Sequence, residues 1–335
     1  MLTVKIGGTG SYLPSRIVTN EEMSARIRST PEWIYAHTGI ESRHVAAEHE
    51  SAATMGAEAA RRALEAAQAK PDEIGMIVLA TTTPDYGNYP STACLVQKAL
   101  GCAPAAAFDL SAACSGFVYG LEMVKSYLLC HPGRKALVIG TEVLSRQVDW
   151  SDRSNAMLFG DGAAAVVLET VDGPAYHLSA SLLGADGNGS SFISREGGSH
   201  RPLSVDFLRE TVKKMDVPYL RMDGHAVYAF AVRKLAEVVN ALCDQVPIPV
   251  ASLDLVFPHQ ANYRILEAVA RRMSLPLEKF YMNLRHVGNT SSASIPLCLD
   301  KAVREGALKK GMRLAFVGFG SGLTWAGLLA EWPYL

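Results

Sequence analysis

Cys114 stands in the stretch DLSAACSGFVYGL (109–121), between small residues and an apolar run with helical spacing. A thiol at or just before a helix N-terminus meets unpaired backbone N–H groups and the positive end of the helix dipole. Both favour the thiolate and lower the pKa, so a nucleophile is expected. Ala112, Ala113, Ser115 and Gly116 keep the approach narrow, as a substrate carbonyl coming close to backbone donors requires. His259 closes the strand-like run LDLVFPH (253–259), at the strand end where open α/β sheets place functional groups, and Gln260 and Asn262 follow it. Asn289 lies in VGNTSSAS ahead of a further helix-like run, and alone it reads as a cap or turn asparagine. Together the three make a nucleophilic set, of the kind papain-like proteases also use for peptide hydrolysis.

Such a set needs a scaffold. Strand-like runs alternate with helical ones from end to end, which predicts an α/β architecture. The Ala-rich segment 53–68 and the segment 91–101, stopped by Gly101, predict helices; 75–83 and 135–144 predict strands and 159–170 a turn followed by a strand; 32–44 reads as irregular. GTGSYLP reads as a turn after the first strand and not as a dinucleotide fingerprint, because Leu13 holds the third glycine position. A Gly- and Ser-rich segment, 184–204, predicts a long surface loop. After it the plan of the first half recurs: a helix over 227–246, a strand over 253–259, a helix over 263–273, a loop feeding a helix over 286–303, and two strands joined by a glycine turn over 312–332. Matching order in two halves predicts a duplication with the active site between them.

With 335 residues, 49% hydrophobic and 19% charged, the chain can bury a large core as two domains or one duplicated unit. Its 32 Lys plus Arg against 33 Asp plus Glu, a net charge of -1, give no basic field for nucleic acid or an anionic membrane. Neither a leader-like segment nor a run of about 18 apolar residues is present, so a soluble cytoplasmic protein is expected. Cysteines 94, 102, 114, 130, 243 and 298 form no CxxC or Cys/His cluster, so free thiols and no metal site are expected.

SAACSGF, PHQAN and GNTSSASIP, with FGDGAAAVVL and a terminal GFGSGLTW, resemble the β-ketoacyl-acyl carrier protein synthase III family of thiolase-fold condensing enzymes. The likeness covers nearly the whole chain, including TGIESRH near its start. It implies an α/β thiolase-like fold, a duplicated αβαβα layered architecture with pseudo-symmetric halves at 1–172 and 173–335, the first carrying Cys114 and the second His259 and Asn289. It also implies a ping-pong reaction in which Cys114 takes an acyl group from acyl-CoA and a malonyl thioester on acyl carrier protein (ACP) attacks it. A thiolase abstracts a proton with a second cysteine. Asn289 cannot, so the carbon nucleophile is expected from loss of the malonyl carboxylate, with His259 and Asn289 holding the enolate oxygen.

The resemblance further implies an oxyanion hole from the backbone N–H groups of Cys114 and Ser321, the latter a position where relatives often have glycine. Trp33, Arg153 and Arg264 match positions that hold coenzyme A, and Phe319 one that shields the nucleophile. Tyr89, in place of a common phenylalanine, would close the acyl pocket of the other subunit in a homodimer and favour short acyl primers. Acidic ACP would dock on Arg233, Lys234, Arg271 and Arg272, with Arg264 and Lys279 nearby. His37 replaces an arginine common ahead of TGI, and Ala229 a lysine often used for docking.

Initiation of fatty acid biosynthesis is the implied function, with acyl-CoA and malonyl-ACP as partners, no permanently bound cofactor, no nucleic acid and no membrane. The alternative is a specialised relative in polyketide, quinolone or other secondary metabolism, for which His37, Ala229 and Ser321 leave room. A papain-like protease is disfavoured because no cysteine-protease signature surrounds Cys114. A silent binding subunit would be expected to lack the cysteine.

Overall fold

The structure is a computed structural model that describes residues 2–87, 89–103, 105–173, 177–195 and 219–333. In its first part the strands are β1 (Leu2–Tyr12), β2 (Arg16–Thr19), β3 (Ser42–Val45), β4 (Ile74–Ala80), β5 (Ala106–Leu110), β6 (Lys135–Glu142) and β7 (Gly162–Asp172). The second part has β8 (Leu178–Ala185), β9 (Ile193–Ser194), β10 (Arg221–Met222), β11 (Leu255–Pro258), β12 (Arg313–Gly320) and β13 (Thr324–Glu331).

Five strands form one sheet in the order β1-β7-β6-β4-β5, and four form a second in the order β11-β12-β13-β8. β4 runs parallel to β5 and β6, while β7 is antiparallel to β1 and β6. The second sheet repeats this pattern: β11 is parallel to β12, and β13 is antiparallel to β12 and β8. The place of β5 is taken there by a single parallel bridge between Val256 and Phe280. The two matching strand orders meet at the link between β7 and β8.

Both sheets are covered on both faces, which is why β4, β6 and β7 read as nearly continuous apolar runs. The helices Gly116–Cys130 and Ser294–Arg304 lie between the sheets, where Phe117, Leu121, Ile295 and Leu299 pack with Val138 and Phe316. Ala52–Ala66 and Thr92–Leu100 cover the outer face of the first sheet, and Gly224–Gln245 and Tyr263–Arg272 that of the second. The result is the five-layered αβαβα arrangement of the thiolase fold.

The repeat extends to single residues. β6 and β12 have the same length, which sets Gly140 against Gly318 and Glu142 against Gly320. A Cβ on Gly140 would stand 2.4 Å from Ser292 O, and one on Gly318 3.2 Å from Cys114 O, so each glycine lets a strand press on the turn that opens a central helix. Both turns begin with a residue in the left-handed region, Ala113 and Ser291, each with φ 47°.

Three expectations need correction. The stretch 32–44 is ordered as the helix Pro31–Thr38 and strand β3. Thr30 caps the Trp33 N–H, Pro31 opens the first turn and left-handed Gly39 closes it. GTGSYLP is not a turn, because β1 continues to Tyr12. Its glycines serve close packing: Cβ atoms at Gly8 and Gly10 would lie 2.4 Å from Ala67 N and 2.3 Å from Ala59 O. The segment 184–204 is no simple loop either, since it holds the end of β8, a helical turn Gly187–Gly189 and β9; residues 196–204 lie outside the described residues.

Candidate active site

A cavity of about 410 Å³ opens between the halves, with Cys114, His259, Asn289, Phe319, Gly320 and Ser321 in its wall. Cys114 is the middle residue of the turn Ala113–Ser115, which leads directly into the helix Gly116–Cys130. A Cβ on Gly320 would approach its backbone nitrogen to 2.6 Å, so only glycine lets β12 lie this close to the Cys114 peptide.

The thiol donates to Ser291 Oγ at 3.3 Å. A lowered thiol pKa was the expectation from the helix N-terminus, but the pKa is pushed up to about 12. Burial is the main cause, the Glu142 carboxylate adds to it, and the Ser291 hydrogen bond opposes it. Desolvation of an anion at the foot of a largely apolar cavity outweighs the favourable helix end. At neutral pH Cys114 therefore rests as the thiol.

His259 follows β11, and its N–H bonds Val317 O at 2.8 Å, extending the β11–β12 ladder by one residue. Its Nδ1 lies 2.7 Å from Ser294 Oγ, leaving Nε2 for the cavity. Phe319 meets the ring edge-on at 5.5 Å. Burial pushes the imidazole pKa down to about 3, so the ring is neutral at neutral pH.

A stability effect follows from this value. The unfolded ring takes up its proton near pH 6.5 and the folded ring only near 3, so the stability contributed by the neutral ring is lost as pH falls from 6.5 towards 3. Urea unfolding at pH 7 and pH 5 should show a smaller acid loss for His259→Gln than for the unmodified protein; equal losses would contradict the assignment.

Asn289 is fixed at both ends. Its backbone N–H donates to Leu158 O at 2.8 Å and its C=O accepts from Gly160 N–H at 3.0 Å. Its Oδ1 accepts from Ser291 N–H at 2.9 Å, so the Nδ2 donors remain for the cavity. Glu142 stands behind this turn, fully buried. It accepts from Ser292 Oγ at 2.8 Å, Thr82 N–H at 3.1 Å, Thr82 Oγ1 at 2.9 Å and Thr83 Oγ1 at 2.8 Å, tying the β4 exit to the 291–293 turn. Burial raises its pKa against those donors.

At the outer end, Arg153 lies over Trp33 at 4.0 Å and His37 stacks on the same ring at 3.9 Å. Arg264 Nη2 donates to Ala36 O at 2.8 Å, and Asn262, which lines the cavity, donates to His37 O at 3.0 Å. The three residues matched to coenzyme A thus share one neighbourhood. Tyr89 is 83% exposed and takes no part in the cavity of its own chain. Ser321 lines the cavity and anchors its hydroxyl on Ile193 O at 2.5 Å.

The docking residues are more dispersed. Arg233 and Lys234 both pair with Glu237, Arg271 pairs with Glu267, and Lys279 is used to hold the carbonyls of Ala251 and Leu253. Arg271 and Arg272 end the helix whose Ile265 lines the cavity, roughly 10 Å further along its axis. Among the described residues, no group of three or more His, Cys, Asp or Glu could hold a metal ion, and no helix is long and apolar enough to cross a membrane.

Sequence reasoning missed Ser291, Ser294 and Glu142. Aligning SAACSG with NTSSAS would have placed Ser291 at the position of Ala113, hence beside the cysteine turn. Nothing local marks Glu142, whose partners are about 60 and 150 residues away in the chain.

Family models for 3-oxoacyl-[acyl-carrier-protein] synthase III match residues 108–187, and those for its C-terminal part match residues 243–332. A β-ketoacyl-[acyl-carrier-protein] synthase III of Erythrobacter litoralis is 44% identical over 99% of this chain and 100% of its own. Another, from Caldanaerobacter subterraneus subsp. tengcongensis, is 43% identical over 97% and 96%. The crystal structure of 3-oxoacyl-[acyl-carrier-protein] synthase III from Aquifex aeolicus superposes with a TM-score of 0.89 at 38% identity, covering 98% of this chain and 100% of that one. With its five layers, its cysteine turn and this full-length likeness, the chain belongs to the β-ketoacyl-acyl carrier protein synthase III family of acyl-transferring condensing enzymes.

Proposed function

We propose that Cys114, His259 and Asn289 carry out a two-stage decarboxylative condensation that starts fatty acid synthesis. In the first stage the Cys114 sulfur attacks the carbonyl of an acyl-CoA primer. The backbone N–H groups of Cys114 and Ser321 receive the developing oxyanion, and coenzyme A leaves with a proton on its sulfur. Trp33, Arg153 and Arg264 hold the nucleotide end, and Phe319 shields the acyl-enzyme.

In the second stage malonyl-ACP enters and loses carbon dioxide. The enolate oxygen is held by Asn289 Nδ2 and His259 Nε2, the enolate carbon attacks the acyl carbonyl on Cys114, and the bond from that carbon to the Cys114 sulfur breaks, the sulfur taking up a proton to become the thiol again. Each donor contributes roughly 3 kcal/mol where oxyanion precedents apply. A neutral His259 suits this role in the tautomer with its hydrogen on Nε2, which requires the Ser294 hydroxyl to turn from Ser291 O towards Nδ1.

The observation that carries this reading is the convergence of Cys114 from one half with His259 and Asn289 from the other on one cavity. A cytoplasmic homodimer in which Tyr89 of the partner subunit closes the acyl pocket, ACP bound near Arg233, Lys234, Arg271 and Arg272, and no bound cofactor complete the proposal. Names of the curated relatives do not favour the secondary-metabolism alternative. Intact-mass measurement should show one acyl group on Cys114 after incubation with short acyl-CoAs, discharged on adding malonyl-ACP with formation of β-ketoacyl-ACP. An unmodified Cys114 across a panel of acyl-CoAs would sink the reading.

A further inference from the structure

We infer that the Ser291 hydroxyl is a catalytic group of the acylation half-reaction, accepting the Cys114 thiol hydrogen in the resting site and donating its own O–H to the sulfur as negative charge forms there. The inference rests on the condensing-enzyme reading and adds to it a group that touches the reacting atom.

Ser291 bonds two members of the constellation directly and reaches the third through Ser294. Its Oγ accepts from the Cys114 thiol at 3.3 Å, and its N–H orients Asn289 through Oδ1 at 2.9 Å. Its carbonyl accepts from Ser294 Oγ at 2.8 Å, the hydroxyl that pairs with His259 Nδ1. The two backbone bonds hold the residue in its left-handed conformation, φ 47°, and keep its hydroxyl within reach of the sulfur.

A serine hydroxyl has one hydrogen and two lone pairs. While the thiol donates to it, its own hydrogen has no acceptor among the described residues, so it is free to turn. A cavity that disfavours the anion makes such a donor valuable, because hydrogen bonds to charged groups are stronger than neutral ones and stronger again away from water.

The Cys114 S–H bond breaks as a bond forms between Cys114 sulfur and the acyl carbon. The bond from that carbon to the coenzyme A sulfur then breaks, and the proton ends on the departing sulfur. Ser291 exchanges no atom; its O–H follows the charge on Cys114 and returns when the thioester is complete.

Ser291→Ala and Ser291→Gly test the inference together, with acylation read by peptide-resolved mass spectrometry and Cys114 alkylation by iodoacetamide followed across pH. Both variants keep the backbone N–H that orients Asn289, and glycine also relieves the left-handed backbone. Loss of the hydroxyl should slow acylation by about 10- to 100-fold in both, consistent with removal of one donor to a charged centre. The alkylation profile should move to higher pH in both, and the acylation loss should exceed any loss of malonyl-ACP decarboxylation at least about tenfold. Unchanged acylation with an unchanged profile would overturn the inference, as would near-normal acylation in the glycine variant beside an impaired alanine one, since backbone conformation would then be the cause. If the unmodified protein itself does not acylate, the failure lies with the condensing-enzyme reading.

Discussion

Cys114→Ala is expected to abolish the acyl-enzyme and lower condensation on the order of 10⁴-fold or more, the scale seen when a covalent nucleophile is removed from a working set. The side chain is a single sulfur at the helix entrance, and no other cysteine lines the cavity. Alanine is smaller and leaves the tight contact with Gly320 undisturbed. Because Asn289 is oriented by Ser291 N–H and His259 by Ser294, their donors do not depend on the sulfur. The variant should therefore still release carbon dioxide from malonyl-ACP at a measurable rate. An acyl adduct persisting in the variant, or decarboxylation lost as completely as condensation, would contradict the division of labour.

The second large effect is expected at Asn289. Removing its Nδ2 donor should slow decarboxylation by about 10²- to 10³-fold, as for other single oxyanion donors. Asn289→Ala also strands the buried Ser291 N–H, at a stability cost of roughly 1–3 kcal/mol. Asn289→Asp separates the two effects, since a carboxylate still accepts from Ser291 N–H but offers no donor and places negative charge beside the enolate. Both variants should still form the acyl-enzyme while failing to condense it. Decarboxylation within a few-fold of the unmodified rate in the aspartate variant would remove Asn289 from the oxyanion role.

Much of this was legible in the chain because the decisive signals are local. Strand ends, glycine stops and the small residues around Cys114 announce themselves within a dozen positions, so the alternating plan could be read directly, whereas Cys114, His259 and Asn289 carried weight only together and through the family resemblance. What escaped reading depends on distant contacts. Gly8 and Gly10 look like turn residues until a helix is packed on them, and 32–44 conceals a helix behind weak periodicity while Thr30, Pro31 and Gly39 mark its ends. The thiol's raised pKa was hidden for the same reason: a helix entrance is visible in a sequence, whereas burial and the nearby Glu142 carboxylate are not.

The duplicated helix entrances have been put to two different uses. At the first entrance β12 ends in Gly320, which carries no side chain and lets the strand lie against the Cys114 peptide in the cavity wall. Where β6 ends in Glu142, the equivalent space ahead of Ser292 is permanently filled by the protein's own carboxylate, which takes the hydrogen bonds an incoming carbonyl would need. The second entrance is thus stoppered from within, and the repeated fold gives its two entrances different tasks, one facing the cavity with Cys114 and the other holding Glu142.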